Sequence, residues 1–161
     1  MTPGTRLVVG VGNPLAGDDG FGGAVIDRLR QRGDRPESVD LVNAHTDLLG
    51  QIDTFAAYDE IVLVDAVIGA GASGGVAVFD EWTFSNWPDT SPGSHQMSPL
   101  AAVKLFRVLH PHAATRIMLV ALSTDRVMIG PGVPDAAVAA GVEMVVRLWS
   151  PDEVTRLHQL P

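Results

Sequence analysis

The sequence contains no cysteine. This absence excludes a disulfide framework, a thiolate nucleophile and a zinc site built from cysteine ligands. Basic side chains are also scarce, since 11 Lys and Arg stand against 19 Asp and Glu and give a net charge of −8. Proteins bind nucleic acids and anionic membranes largely through Lys and Arg that replace counterions. The charge balance therefore argues against both kinds of partner.

Long apolar runs are missing as well. No run approaches the ~18 residues that a membrane-spanning helix needs, and the N-terminal residues 1–6 form no apolar signal region. We therefore expect a cytoplasmic protein without a membrane segment. Hydrophobic residues still make up 46% of the 161 residues, which is enough for the core of one domain over residues 1–161.

Strand-like and helix-like segments alternate along the chain in the order βαβαββαβα. This order is typical of an α/β fold with a mostly parallel sheet and helices on both faces. Because no helix fits between the third and fourth strands, we expect these two strands to pair antiparallel, with the fourth at an edge. Ligands in such sheets bind beyond the carboxyl ends of the strands. The predicted strands are 7–11, 39–42, 61–67, 76–79 and 117–122, the helices are about 20–32, 48–57, 99–109 and 134–149, and 83–98 is a loop.

A glycine-rich turn, residues 10–20, follows the first strand and has three interpretations. A dinucleotide-binding motif G-x-G-x-x-G would need glycine where Leu15 stands. A phosphate-binding loop would need Lys and Ser or Thr after Gly17, where Asp18 and Asp19 stand instead. Two carboxylates at the start of a predicted helix fit a cation site, with one Asp capping the helix and the other pointing into a pocket.

Two further residues are candidates for the same site. Asp65 lies within the apolar run 61–67, where a buried carboxylate is costly unless it is paired or bound to a cation. His95 precedes the predicted third helix, and an imidazole with two carboxylates suits a borderline divalent metal such as nickel or zinc. His45 follows the second strand and could reach the same edge of the sheet. Each residue also has an ordinary explanation as a helix cap, a salt-bridge partner or a solvated loop residue.

Three other features have weaker functional interpretations. Residues 71–75 match the G-x-S-x-G pattern of serine hydrolases, but a nucleophile elbow joins a strand to a helix, whereas this turn leads into another strand. The context therefore argues against Ser73 as a nucleophile. Trp82 and Trp87 flank the predicted loop and are either core residues or a partly exposed patch for a protein partner.

Several segments, taken together and in this order, resemble the hydrogenase maturation proteases. The strongest are residues 10–22 (GVGNPLAGDDGFG), 63–67 (LVDAV) and 94–96 (SHQ), the last followed by a predicted helix. Residues 46–49 and the Gly-Pro turn at 130–132 are weaker parallels. The resemblance spans nearly the whole chain.

The resemblance implies a three-layer α/β/α sandwich and an endopeptidase. Members of this family remove a C-terminal extension from the nickel-loaded precursor of the large subunit of a nickel–iron hydrogenase. By motif, Asp19, Asp65 and His95 would be the catalytic residues that contact nickel, which the precursor carries and the protease does not hold permanently. The first of these positions is Glu in some members and Asp in others, and His45 replaces a small residue, often glycine.

The resemblance leaves the mechanism and two other functions open. The nickel could polarise the scissile carbonyl or activate a water, or it could serve only for recognition while a carboxylate acts as general base. Another metal-dependent hydrolase of the same fold is one alternative function. The other is a non-catalytic maturation factor that binds nickel or the precursor. We expect a monomer.

Overall fold

The computed structural model of the chain describes residues 4–88, 96–125 and 127–149. Its sheet has five strands, β1 (Arg6–Val11), β2 (Val39–His45), β3 (Glu60–Ile68), β4 (Val76–Asp80) and β5 (Arg116–Thr124). Their order is β2-β1-β3-β5-β4, and all neighbouring strands are parallel except β4, which runs antiparallel to β5 at one edge. The α/β fold and the antiparallel edge strand are confirmed.

The predicted pairing of the third and fourth strands is wrong, because β4 pairs with β5. The strand β5 pairs with β3 along nine residues, from Glu60↔Arg116 to Ile68↔Thr124, and its apolar residues are buried throughout. β4 is shorter and only partly buried. The more apolar strand therefore takes the central position, as burial of apolar surface requires.

In the parts of the chain that the structure describes, five α-helices pack on the sheet: α1 (Phe21–Arg30), α2 (Ile52–Phe55), α3 (Glu81–Ser85), α4 (Pro99–Leu109) and α5 (Asp135–Leu148). Two of them, α1 and α2, are preceded by short 3₁₀ turns at Gly17–Gly20 and Leu49–Gln51. Ser98 caps α4 as predicted, since its side chain accepts a hydrogen bond from the Ala101 N–H at 3.1 Å.

Part of the segment predicted as a loop over 83–98 is helical, because residues 83–85 belong to α3. The Asp80 carboxylate accepts a hydrogen bond from the Thr83 N–H at 2.8 Å and caps this helix. Phe84 is buried within α3. This single cap and one apolar anchor hold a helix of only five residues, which is too short to show a helical period in the sequence.

The apolar core lies in two layers, one on each face of the sheet, because successive strand side chains point to opposite faces. One layer joins the sheet to α1 and α5, and its members include Val8, Phe21, Val25, Val62, Val120 and Val142. The other joins the sheet to α2, α3 and α4, and includes Leu7, Phe55, Leu63, Phe84, Phe106 and Leu119. None of the helices within the described residues is long and apolar enough to span a membrane.

Helix α1 approaches the sheet backbone to backbone, and Gly22 makes this possible. A Cβ atom on Gly22 would lie 2.3 Å from the Val64 carbonyl oxygen and 2.4 Å from that of Val11. Gly12 has a φ of +123°, and a Cβ there would lie 1.9 Å from the Asp19 carbonyl oxygen. The glycines therefore bring the turn that carries Asp19 against the ends of β1 and β3.

Gly22→Ala should destabilise the protein strongly, by about 3 kcal/mol or more, because the added methyl group meets fixed backbone atoms and no flexible side chain can move away. The matched control is Gly33→Ala, where a Cβ would meet nothing within 4 Å, so its effect should stay within about 0.5 kcal/mol. Urea unfolding of both variants measures the difference. Equal stability of the two variants would contradict the close approach of α1.

Candidate active site

A cleft opens at the carboxyl ends of the central strands, between the turn that precedes α1, the end of α3 and the start of α4. Its volume is about 60 Å³, which is far below the roughly 300–1,000 Å³ of sites for larger organic ligands. The polar side chains Asp19, Asp65 and Gln96 line it together with a mostly apolar wall that includes Val67, Ile68, Phe84, Trp87, Met97, Leu100 and Val127. The cleft therefore suits an ion and a few neighbouring atoms better than a nucleotide.

Asp65 lies near the end of β3 and is only 6% exposed. Its Oδ1 atom is buried and has no hydrogen-bond partner among the described residues. The other buried carboxylate of the same strand, Glu60, is paired with Arg6 and with Arg116, whose guanidinium lies 2.9 Å from Oε2. One strand thus holds a neutralised carboxylate at its start and an unneutralised one at the cleft.

Asp19 faces Asp65 from the 3₁₀ turn before α1 and is 4% exposed. Its Oδ2 atom accepts a hydrogen bond from the Asn13 N–H at 2.7 Å, and the side chain of Gln96 donates another to the same carboxylate. These two donors fix the orientation of the Asp19 carboxylate from both sides of the cleft.

Asp18 turns away from the cleft, where its Oδ2 accepts a hydrogen bond from the Thr124 hydroxyl at 2.9 Å. The prediction that one of the two acidic residues caps the first helix is wrong. Helix α1 continues directly from a 3₁₀ turn. The N-cap residue is Ala16 for the turn and Gly20 for the helix, and neither makes a capping hydrogen bond through its side chain. Within that turn the adjacent Asp residues point in different directions, and only Asp19 reaches the cleft.

Burial governs the electrostatics of the two carboxyl groups. Desolvation raises the pKa of Asp65 well above its ordinary value, the negative charge of Asp19 raises it further, and a hydrogen bond from the Ala66 N–H opposes both effects. Desolvation also raises the pKa of Asp19, against the hydrogen bonds from Asn13 and Gln96. Such a pair can bind a divalent cation or accept a proton from water.

The third predicted site residue, His95, lies outside the described residues. Gln96, the next residue in the sequence, lines the cleft. Within 4–88, 96–125 and 127–149, no group of three or more His, Asp or Glu side chains could hold a metal ion. The described part of the chain thus brings together Asp19 and Asp65, and a site of three ligands that includes His95 stays a prediction.

His45 and Ser73 lie away from the cleft lining. His45 is the last residue of β2, is exposed and has a φ of 51°. Its carbonyl accepts a hydrogen bond from the Gly12 N–H at 2.7 Å. Ser73 lies in an exposed turn that leads into β4, as the sequence indicates, and not into a helix.

The two tryptophans of this region separate into a core residue and a surface residue. Trp87 packs edge-on against Phe79, with ring centroids 4.7 Å apart, and lines the cleft. Trp82 is 80% exposed on α3. Trp87 is therefore partly buried against the core, whereas Trp82 is a surface residue, and a partner for Trp82 stays a prediction.

Two contributors to the site are missing from the sequence-based candidates. Gln96 belongs to the SHQ segment, but its position beside the predicted metal ligand His95 does not reveal that its amide donates a hydrogen bond to Asp19. Gly22 supplies the close contact between helix and strand that a dinucleotide motif would place at Leu15. The sequence does place a glycine here, in the G-F-G segment 20–22. The dinucleotide-binding motif G-x-G-x-x-G has no glycine at that spacing.

Comparisons with known proteins agree with this architecture. The hydrogenase maturating endopeptidase HybD from E. coli has a TM-score of 0.75 at 20% identity, covering 89% of this chain and 91% of that chain. The [NiFe] hydrogenase maturation protease HycI from Thermococcus kodakarensis KOD1 has a TM-score of 0.68 at 19% identity, covering 92% of each chain. An endopeptidase from Escherichia coli has a TM-score of 0.71 at 22% identity, covering 88% and 89%. At these identities the likeness shows the fold.

A search of curated proteins finds no match to the chain. The model of the family described as HycI, hydrogenase maturation protease, matches residues 24–147. This range is well over half of the chain and includes Asp65, while Asp19 precedes it. On this match, the chain belongs to the hydrogenase maturation protease family, a family of endopeptidases.

Proposed function

We propose that this protein removes the C-terminal extension from the nickel-loaded precursor of the large subunit of a nickel–iron hydrogenase, and that Asp19, Asp65 and His95 contact the precursor's nickel ion. Family membership supports the reaction and the class of substrate. The observation that carries the site is the buried Oδ1 atom of Asp65, which has no hydrogen-bond partner among the described residues.

A cation accounts for this arrangement better than any protein group in the described chain. Two desolvated carboxylates that share one small cleft repel each other when ionised. A divalent ion between them offsets both the desolvation and the repulsion. Protein sites for nickel favour imidazole beside such oxygen ligands, and His95 directly precedes Gln96, which lines the cleft.

The nickel arrives with the precursor, in this proposal, because the protease supplies an open set of ligands. Two carboxylates and one imidazole leave coordination positions for groups of the precursor. The sequence also lacks the H-E-x-x-H motif of proteases that hold a permanent zinc ion. The ion thus identifies a precursor whose metal centre has been loaded.

Hydrolysis in this cleft proceeds by direct attack of water. The chain has no cysteine, and Ser73 lies in an exposed turn without the context of a nucleophile elbow. The water oxygen adds to the scissile carbonyl carbon, the C–N bond breaks and the leaving amine takes up a proton. A carboxylate of the cleft can accept a proton from the attacking water and pass it to the leaving amine.

Incubation of the protein with nickel-loaded and nickel-free precursor, followed by mass spectrometry, tests this proposal. Only the loaded precursor should lose a C-terminal peptide. Asp19→Asn and His95→Ala should lower the rate at least a hundredfold, since each removes a ligand, and should leave the melting temperature little changed. Asp18→Asn is the matched control and should process normally, because Asp18 binds Thr124 outside the cleft lining.

Equal loss of activity in the Asp18 and Asp19 variants would contradict the assignment of the site. Cleavage of the nickel-free precursor at the same rate would contradict the role of nickel. Binding of the loaded precursor without cleavage by the folded wild-type protein would contradict the protease function and favour a maturation factor that only binds.

Asp65→Asn should abolish processing and yet stabilise the protein by about 1–3 kcal/mol at pH 7, because it removes a buried and unneutralised charge. The folded protein raises the pKa of Asp65, so it binds this proton more tightly than the unfolded chain does. Wild type should therefore lose stability relative to the variant as the pH rises above about 4, the ordinary value of an unfolded Asp.

Urea unfolding between pH 4 and pH 8 measures this difference. Glu60→Gln is the control of opposite sign, since it leaves the mostly buried Arg6 without its charged partner and should cost about 3 kcal/mol. If Asp65→Asn is less stable than wild type at every pH in this range, the Asp65 carboxylate has a structural role.

A further inference from the structure

Three large apolar side chains next to the cleft are exposed to solvent. Leu15 is 74% exposed, Met128 is 56% exposed and Ile129 is 88% exposed. Adjacent exposed apolar side chains of this size are a feature of protein-binding surfaces more than of ordinary monomer surface. We call the surface formed by Leu15, Met128 and Ile129 the apolar ridge.

The ridge is continuous because its two segments are attached to each other. Ala16 and Gly130 form a parallel backbone bridge between the glycine-rich turn and the segment that follows β5. Gly17 adopts a φ of +58°, and a Cβ there would lie 2.9 Å from the Met128 carbonyl oxygen. The backbones of both segments are therefore in contact directly behind the three exposed side chains.

The ridge also adjoins the cleft through both of its segments. Val127, which precedes Met128, lines the cleft. On the other segment, the Asn13 side chain accepts a hydrogen bond from the Leu15 N–H at 2.9 Å, and the Asn13 N–H donates to Asp19 at 2.7 Å. A macromolecule that reaches Asp19 and Asp65 therefore lies over the ridge.

We propose that the apolar ridge is the surface on which the folded body of the hydrogenase large-subunit precursor docks, an inference that rests on the proposed function. The cleft has a volume of only about 60 Å³ and so contacts too few atoms to select one protein among many. Selection then requires contacts outside the cleft. The ridge offers apolar area for them on a chain whose net charge is −8.

A second copy of this chain is a worse occupant of the ridge than the precursor. A dimer formed through the ridge would place its partner over the mouth of the cleft, because Val127 and Asn13 join the ridge to the cleft on both segments. Such a dimer would compete with the precursor. The ridge is therefore a docking surface for the substrate.

Ile129→Asp and Leu15→Asp test the ridge, and both substitutions should fold because the two side chains are mostly exposed. Each should weaken binding of nickel-loaded precursor at least tenfold by biolayer interferometry, and should raise KM for processing by a similar factor with kcat within twofold. Val108→Asp is the matched control. Val108 is 75% exposed but lies about 14 Å along α4 from the helix end at the cleft, so its affinity and KM should equal those of wild type.

Four outcomes would overturn the ridge as the docking surface. The first two are unchanged precursor affinity in both ridge variants and an equal loss of affinity in Val108→Asp. The third is that wild type does not bind the precursor. The fourth is that wild type is a dimer in gel filtration and both ridge variants are monomers. The binding readout does not depend on cleavage. Loss of precursor binding in the ridge variants, with no cleavage by wild type, would support the ridge while contradicting the protease function.

Discussion

The desolvated carboxylate of Asp65, placed near the end of the central strand β3, is the constraint on which the site depends. A buried charge without a partner is among the costliest groups in a protein, and this one has an oxygen with no hydrogen-bond partner in the described parts of the chain. The same strand neutralises Glu60 with Arg6 and Arg116 at its other end. The fold thus pairs one buried acid of β3 with two arginines, while an oxygen of the other, Asp65, has no hydrogen-bond partner among the described residues.

The surrounding elements keep the Asp65 carboxylate dry and bring a second carboxylate to it. Gly22 lets α1 lie directly on β1 and β3, and this contact places Asp19 against the strand ends. The Ser98 cap begins α4 beside the cleft, so Gln96 lies close enough to bind Asp19. Phe84 and Trp87 from the α3 region supply apolar walls. These contacts strengthen the electrostatic interaction of the pair, because they exclude water.

The sequence predicted those parts of the fold that local rules determine. The apolar run of β3, the Ser98-Pro99 helix start and the edge position of β4 follow from burial and capping preferences. Local rules did not predict which strand pairs with β4, because strand order depends on contacts between residues far apart in the sequence. Helix α3 was missed because a single turn with one buried residue, Phe84, shows no periodicity.

The site was predictable in residue type but less so in geometry. The motifs identified Asp19 and Asp65 as candidates, and both line one cleft. The opposite orientations of Asp18 and Asp19 depend on the 3₁₀ turn at Gly17–Gly20, which residue preferences do not determine at the level of single side chains. The role of Gln96 requires a contact between residues 19 and 96, which lie far apart in the sequence. His95 stays a prediction from its motif.

The central claim is that the Asp19–Asp65 pair meets a divalent cation. Isothermal titration of Ni²⁺ into wild type and into Asp65→Asn tests this claim without any precursor or any cleavage. The account predicts that wild type binds Ni²⁺ at least tenfold more tightly than the variant, because the variant lacks the carboxylate charge at the cleft. Equal affinity of the two proteins would contradict the account, since it would mean that Ni²⁺ binds elsewhere and that the unpaired carboxylate of Asp65 has another purpose.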